Sequence, residues 1–303
     1  MSTDELAGVH CALATPFDQN QEVDEARLRS FADEVIADGV AGLVVGGSTG
    51  ECSSLTTAER MRVTEVVAET ADGRVALIPH VGSCSIRDAR EMARHAESVS
   101  AAAILAVSPY YEPLDDEEVT AYYAGIAEVT DLPIIFYNLP IAVGANVDPE
   151  RLARFCERVP SIRYVKESTG DLSQIGVLTT DFADTVRVFN GWDTLFLPAL
   201  VEGAIGAIVG TPNFAGKACV GVYRLLAEGD AEGALAAWER LRPLMQVMVS
   251  GGYANAVKAA MEMVGRPIGP LRSPLLSLGG DRREALEQAL DGLGLLAVAG
   301  APS

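Results

Sequence analysis

The sequence predicts an α/β chain of the (β/α)8 TIM-barrel class with a C-terminal helical extension, on three observations. Eight short apolar runs recur between Gly8 and Val209, helix signals fill the intervals, and strand signals cease after Gly229. The runs are Gly8–Ala14, Ala41–Gly46, Val75–Val81, Ala103–Val107, Pro133–Tyr137, Arg163–Lys166, Val186–Phe189 and Gly206–Val209. Continuous apolar strands of this length suit a parallel sheet covered on both faces. Asp24 opens an amphipathic stretch that stops at Gly39. Thr56-Thr57-Ala58-Glu59 forms a capping box, Ser85 and Asp115 are further caps, and Asp148 precedes a proline suited to a first helical position. A doubly wound sheet is the alternative, but Ala14-Thr15-Pro16-Phe17 is not the glycine-rich turn it favours after its first strand. Beyond the barrel, Ala231–Val249, Ala254–Val264 and Arg282–Leu295 read as helices packed on the barrel or on a neighbouring subunit. Pro267, Pro270 and Pro274 mark a loop, and the Ala/Gly-rich tail from Leu296 is expected to fray. The expected division is residues 1–228 for the barrel with the active site, and 229–303 for the extension.

The 303 residues are 49% hydrophobic and carry a net charge of −19. So acidic a surface repels phosphate backbones and anionic lipid, which argues against nucleic-acid and membrane partners. No stretch reads as a membrane span or a secretory leader, so a cytoplasmic protein is expected. The five cysteines are scattered without a CxxC pair and read as reduced thiols. The three histidines offer few ligands to a metal, and no metal is expected.

Lysine is the most informative residue. Only Lys166, Lys217 and Lys258 occur among 23 basic residues. Lys166, in Tyr164-Val165-Lys166-Glu167-Ser168, ends a predicted strand and so faces the mouth of the barrel, where catalytic groups sit. Desolvation there lowers a lysine's pKa and frees an amine able to attack a carbonyl; the alternative is a lysine that snorkels out or pairs with Glu167. Tyr137 ends the preceding strand and can move protons at the same cavity, or simply keep its hydroxyl in water. Gly46-Gly47-Ser48-Thr49-Gly50-Glu51 can seat a small anion on backbone N–H groups and hydroxyls, or can be a tight turn that caps the next helix. In Ser108-Pro109-Tyr110-Tyr111 a tyrosine could extend the proton path or pack an interface. Asp193, in Gly191-Trp192-Asp193-Thr194, could accept hydrogen bonds from substrate hydroxyls or cap a helix.

Gly47-Ser48-Thr49-Gly50-Glu51, Tyr137-Asn138-Leu139-Pro140 and Val165-Lys166-Glu167-Ser168-Thr169-Gly170-Asp171, in this order and on these strands, resemble the dihydrodipicolinate synthase/N-acetylneuraminate lyase family of class I aldolases. The resemblance runs from Thr15-Pro16-Phe17 to the segment near Pro274. It implies Lys166 as the Schiff-base lysine, Tyr137 as the proton-transferring tyrosine and Tyr111 as a relay reaching a neighbouring subunit's site. It implies Ser48 and Thr49, with the Gly47 turn, as the seat of the pyruvate carboxylate, Ile208 as the source of a carbonyl lining the pyruvate pocket, and Gly191 and Asp193 as further substrate contacts. It implies a homotetramer built from dimers, with pyruvate or another 2-oxo acid and an aldehyde as partners, and no cofactor beyond the lysine imine. The synthase branch's arginine falls on Ala142, which argues against aspartate semialdehyde. The lyase branch's glutamate and serine fall on Thr194 and Gly210, which argues against sialic acid. A smaller or less polar aldehyde fits the Ile141-Ala142-Val143 wall. The expected activity is a pyruvate-dependent aldolase of a 2-oxo-3-deoxy acid. A dihydrodipicolinate synthase, a dehydratase of the same family and a non-catalytic 2-oxo-acid-binding barrel stand as alternatives.

Overall fold

Eight strands, β1 Gly8–Ala12, β2 Gly42–Val45, β3 Ala76–Pro79, β4 Ile104–Val107, β5 Ile134–Asn138, β6 Ile162–Glu167, β7 Arg187–Asn190 and β8 Gly206–Val209, alternate with helices in the computed structural model. The structure describes residues 4–297. Every strand pair is parallel, in the order β3-β2-β1-β8-β7-β6-β5-β4. A parallel bridge from His80 to Leu105, with the Val81 N–H donating to the Leu105 carbonyl at 2.7 Å, joins the two ends of that order. The sheet thus closes into a barrel.

The helices of the barrel are α1 Glu25–Ala37, α2 Thr57–Ala71, α3 Ile86–Ser98, α4 Asp116–Ala127, α5 Pro140–Val143, α6 Pro149–Arg158, α7 Leu172–Thr180, α8 Phe196–Val201 and α9 Pro212–Ala227. Those of the extension are α10 Ala231–Met248, α11 Tyr253–Met263 and α12 Gly280–Gly292. The caps read from the sequence are in place. Thr56 and Glu59 form a reciprocal capping box, Asp115 and Glu118 form a second, and Asp24, Ser85 and Asp148 accept from backbone N–H groups of their own first turns. Each such cap satisfies an otherwise orphaned donor and stabilises its helix by about 1 kcal/mol.

Ala12, Val44, Ile78, Leu105, Ile135, Phe189 and Ile208 fill the barrel interior as one apolar cluster. The outer faces of the strands pack against the helices. The extension packs on the barrel of its own chain: Trp238 stacks on Phe196, and Leu241, Leu244, Met245 and Met248 are buried in the same cluster as β1, β2 and α9 residues. Beyond Ala297, the tail expected to fray lies outside the described residues. No helix among the described residues is long and apolar enough to cross a membrane.

Candidate active site

Lys166 and Tyr137 stand directly opposite each other in the β5–β6 ladder. Both side chains are about 95% buried, because each points into the upper barrel rather than toward a helix. The Lys166 Nζ sits 4.0 Å from the centroid of the Tyr137 ring. No hydrogen bond or salt bridge to Nζ exists among the described residues, so the expected alternative of a Lys166–Glu167 ion pair is not formed. Glu167 instead points outward, where its carboxylate accepts from Asn138 at 2.8 Å, Gln174 at 2.9 Å and the Thr169 N–H at 2.8 Å. Burial pushes its pKa up.

Gly191 makes room for the lysine. A Cβ at this position would lie 2.9 Å from Lys166 Cγ, 3.0 Å from Cε and 2.0 Å from Ser168 Oγ. Any side chain here, one residue past β7, forces the Ser168 and Lys166 side chains to shift. Behind Tyr137 the His80 ring packs edge-on, with centroids 6.4 Å apart. His80 is fully buried, and its pKa is driven well down by desolvation first and by the Arg60 guanidinium second.

The loop after β2 is built as a turn. Gly46 takes a left-handed φ of 64°. The Gly47 carbonyl accepts from the Gly50 and Cys52 N–H groups, the Ser48 carbonyl accepts from that of Glu51, and the Thr15 hydroxyl donates to the Gly50 carbonyl at 2.8 Å. These bonds consume the amides that follow Thr49. The amides and hydroxyls of Ser48 and Thr49 remain without a protein acceptor among the described residues. Glu51, itself left-handed at φ 59°, anchors the turn from behind: its carboxylate accepts from the Arg272 N–H at 2.9 Å and lies 3.1 Å from Lys258 Nζ.

These elements enclose a cavity of about 300 Å³. Of the residues singled out in the sequence, Lys166, Tyr137, Ser48, Thr49, Ile208, Gly191 and Asp193 line it. Two do not. Gly47 lies beneath the turn, its carbonyl spent on Gly50 and Cys52, so it shapes the seat rather than forming its surface. Tyr111 is 83% exposed beside a separate groove with Cys84, Ile86 and Leu114, outside the cavity of its own chain. Asp193 lines the cavity and does not cap the helix that follows it. It makes no side-chain capping bond, and its carboxylate accepts from the Thr211 hydroxyl at 2.6 Å and from the Tyr253 hydroxyl at 2.9 and 2.8 Å. Ile141 and Ala142 of α5 line the mouth together with Leu139, whereas Val143 does not.

Sequence reasoning missed Tyr253, Ser168 and the Met248–Tyr253 segment as parts of this wall. Tyr253 opens α11, accepts from the Gly210 N–H at 2.8 Å and fills the space that a Cβ at Gly210 would enter, 2.5 Å from the ring. The Ser168 Oγ is buried with no hydrogen-bond partner. A period-two reading finds Ser168, two residues past Lys166 on the same face of the strand end. No local signal finds Tyr253, which meets Asp193 across 60 residues of chain.

A buried amine free of any carboxylate, a phenol beside it, and two free amides with two hydroxyls make a site for carbonyl chemistry on a small anion. The comparisons with known proteins agree. Residues 5–293 match the model of the dihydrodipicolinate synthetase family, and the chain belongs to that family. It is 38% identical to a 4-hydroxy-tetrahydrodipicolinate synthase of Methanopyrus kandleri over 96% of this chain and 98% of that one. It is 34% identical to an N-acetylneuraminate lyase of Escherichia coli over 87% and 89%. A crystal structure of a Thermotoga maritima dihydrodipicolinate synthase superposes with a TM-score of 0.90 at 31% identity, covering 97% of this chain and all of that one. A family member from Escherichia coli K12 solved in complex with pyruvate gives 0.90 at 25% identity, covering 95% and 99%.

Proposed function

We propose that the protein is a pyruvate-dependent class I aldolase, a lyase that forms or cleaves a 2-oxo-3-deoxy acid through an imine on Lys166. The observation that carries this is the pair Lys166–Tyr137: a buried amine with no counter-ion, 4.0 Å from the phenol ring, at the floor of a cavity whose rim offers two unpaired amides. The free base of Lys166 attacks C2 of pyruvate. Tyr137 moves a proton as the carbinolamine loses water. The protonated imine draws electrons from C3, which loses a proton and becomes an enamine carbon. That carbon bonds to an aldehyde carbon, the aldehyde oxygen takes a proton to become a hydroxyl, and water hydrolyses the imine to release the product and the amine. Cleavage is the same sequence reversed. Ser48 and Thr49 hold the carboxylate, so the reacting carbon is oriented before the bond forms. The unpartnered Ser168 Oγ beside Lys166 supplies a hydrogen bond to an oxygen of the bound 2-oxo acid.

The imine is itself the electron sink, so this chemistry calls for no further cofactor or metal. The exposed Tyr111 serves a neighbouring copy's site in a homotetramer, and the substrates are free small molecules of the cytoplasm. The second reading, a 4-hydroxy-tetrahydrodipicolinate synthase, is favoured by the names of the relatives. It shares every step as far as the enamine.

Exchange of the pyruvate methyl protons in heavy water, followed by NMR without any aldehyde, tests the reading. An enamine-forming enzyme exchanges them catalytically, and Lys166→Ala abolishes the exchange. A barrel that only binds 2-oxo acids leaves the methyl signal intact, and that result would overturn the proposal.

A further inference from the structure

The aldolase reading leaves the second substrate open, and the charges around the cavity narrow it. Twenty residues line the cavity, and only Lys166 and Asp193 carry a formal charge. Lys166 is committed to the imine in that reading. Asp193 is buried, its carboxyl already engaged by the Thr211 and Tyr253 hydroxyls, and it offers no positive charge. The mouth, where a second substrate must stand, is lined by Leu139, Ile141, Ala142, Trp192 and Val249, with Met248 buried beneath. The chain's other lysines are engaged elsewhere. Lys258 is paired with Glu51 behind the seat, and Lys217 lies on the outside of α9 near Asp38. Arg272, the cation next to Lys258, is bonded to Glu59, the Ser54 carbonyl and the Gln21 carbonyl.

We propose that the aldehyde partner of the pyruvate enamine is uncharged, bearing neither carboxylate nor phosphate. This rests on the aldolase reading of the same site. A carboxylate or phosphate on the aldehyde meets no counter-charge among the residues that line the mouth. A charged group removed from water without a partner loses far more than a neutral chain laid against Ile141 and Val249. The bond forms between C3 of the enamine and the aldehyde carbon, the aldehyde oxygen gains one proton, and hydrolysis of the imine returns the lysine. No oxidant or reductant is required.

The test is steady-state pyruvate consumption by the full chain with four aldehydes: butanal and D-glyceraldehyde, which are neutral, and aspartate semialdehyde and D-glyceraldehyde 3-phosphate, which are anionic. The better neutral aldehyde is expected to exceed both anionic ones at least tenfold in kcat/KM. Ala142→Arg places a cation at the exposed mouth and is expected to cut that ratio at least tenfold. Either anionic aldehyde matching or exceeding the neutral ones overturns the inference, as does an absence of turnover with both neutral aldehydes. The methyl-exchange assay on the same preparation separates the two levels. If exchange proceeds but an anionic aldehyde is preferred, this inference alone falls; if no exchange occurs, the aldolase reading falls with it.

Discussion

Two of the three lysines are buried to nearly the same degree, Lys166 at 5% and Lys258 at 7% exposure, and each lies over an aromatic ring, but their polar surroundings differ. Lys258, on the extension, has its charge answered. The Glu51 carboxylate lies 3.1 Å away, the Pro270 carbonyl accepts from Nζ at 2.5 Å, and the Phe17 ring lies beneath at 4.3 Å. Lys166, on the barrel, faces an aromatic ring and a cavity. Taking an amine out of water with no carboxylate beside it costs stability, so the fold gains nothing from placing it there. The comparison separates a lysine whose charge is answered within the fold from one left open to a cavity, as the proposed imine requires. It also shows that the two are linked, because Glu51 follows the Ser48-Thr49 seat by two residues. Through that pair the extension braces the Ser48-Thr49 loop from behind.

The largest effect is expected at the barrel lysine. Lys166→Ala should lower kcat/KM by roughly a thousandfold or more, since the covalent route is lost, while the urea midpoint stays at or above that of the native chain. A fall in stability without loss of rate would make Lys166 a structural lysine like Lys258. At Lys258 the pattern should invert. Lys258→Met leaves the Glu51 carboxylate buried and unpaired, and should cost about 3–5 kcal/mol in urea unfolding. Lys258→Met/Glu51→Gln should recover about half of that cost, and no recovery would show that the pair is not the source of the loss. Gly191→Ala sharpens the comparison on the catalytic side. The added methyl lies 2.9 Å from Lys166 Cγ and 3.0 Å from Cε. It should lower kcat roughly 10- to 100-fold by misplacing the amine, with a cost of about 1–3 kcal/mol in urea unfolding from the overpacking.

The smallest effect is in pH. Burial pulls the Lys258 pKa down to about 8, more than Glu51 raises it. The unfolded lysine titrates near 10.4, as an ordinary side chain does. Between about pH 8 and pH 10.4 the unfolded chain therefore binds more protons, and the Lys258 contribution to the unfolding free energy rises with pH by about 1–3 kcal/mol. Below pH 8 both states are protonated and the contribution is flat. Urea unfolding at pH 7.5 and 10 checks the sign: the native chain should carry this rise and Lys258→Met should lack it.

Much of this was legible in the chain. The eight apolar runs locate every strand, because a strand buried on both faces needs no alternation and shows itself as a continuous run. Strand ends were less legible. Ala14 extends the first apolar run, yet its N–H donates to the Asn213 side chain at 2.9 Å rather than to the neighbouring strand, a contact across 199 residues. Lys166 and Tyr137 were legible because a lysine is rare here and the end of a barrel strand has a defined direction. The wall supplied by Met248, Val249 and Tyr253 was not. Helix periodicity announces that α10 ends near Val249 and α11 begins near Tyr253, but says nothing of which distant loop they close over. The engagement of Asp193 by Tyr253 has the same cause: a hydrogen bond between two loops leaves no local pattern in either.

The central claim is that the two buried lysines differ in kind. Borohydride reduction in the presence of pyruvate, followed by peptide mapping, tests it most directly. The account predicts a single pyruvate-derived label on Lys166, with Lys258 and Lys217 unmodified. A label on Lys258, or an unmodified Lys166 after reduction, would contradict it.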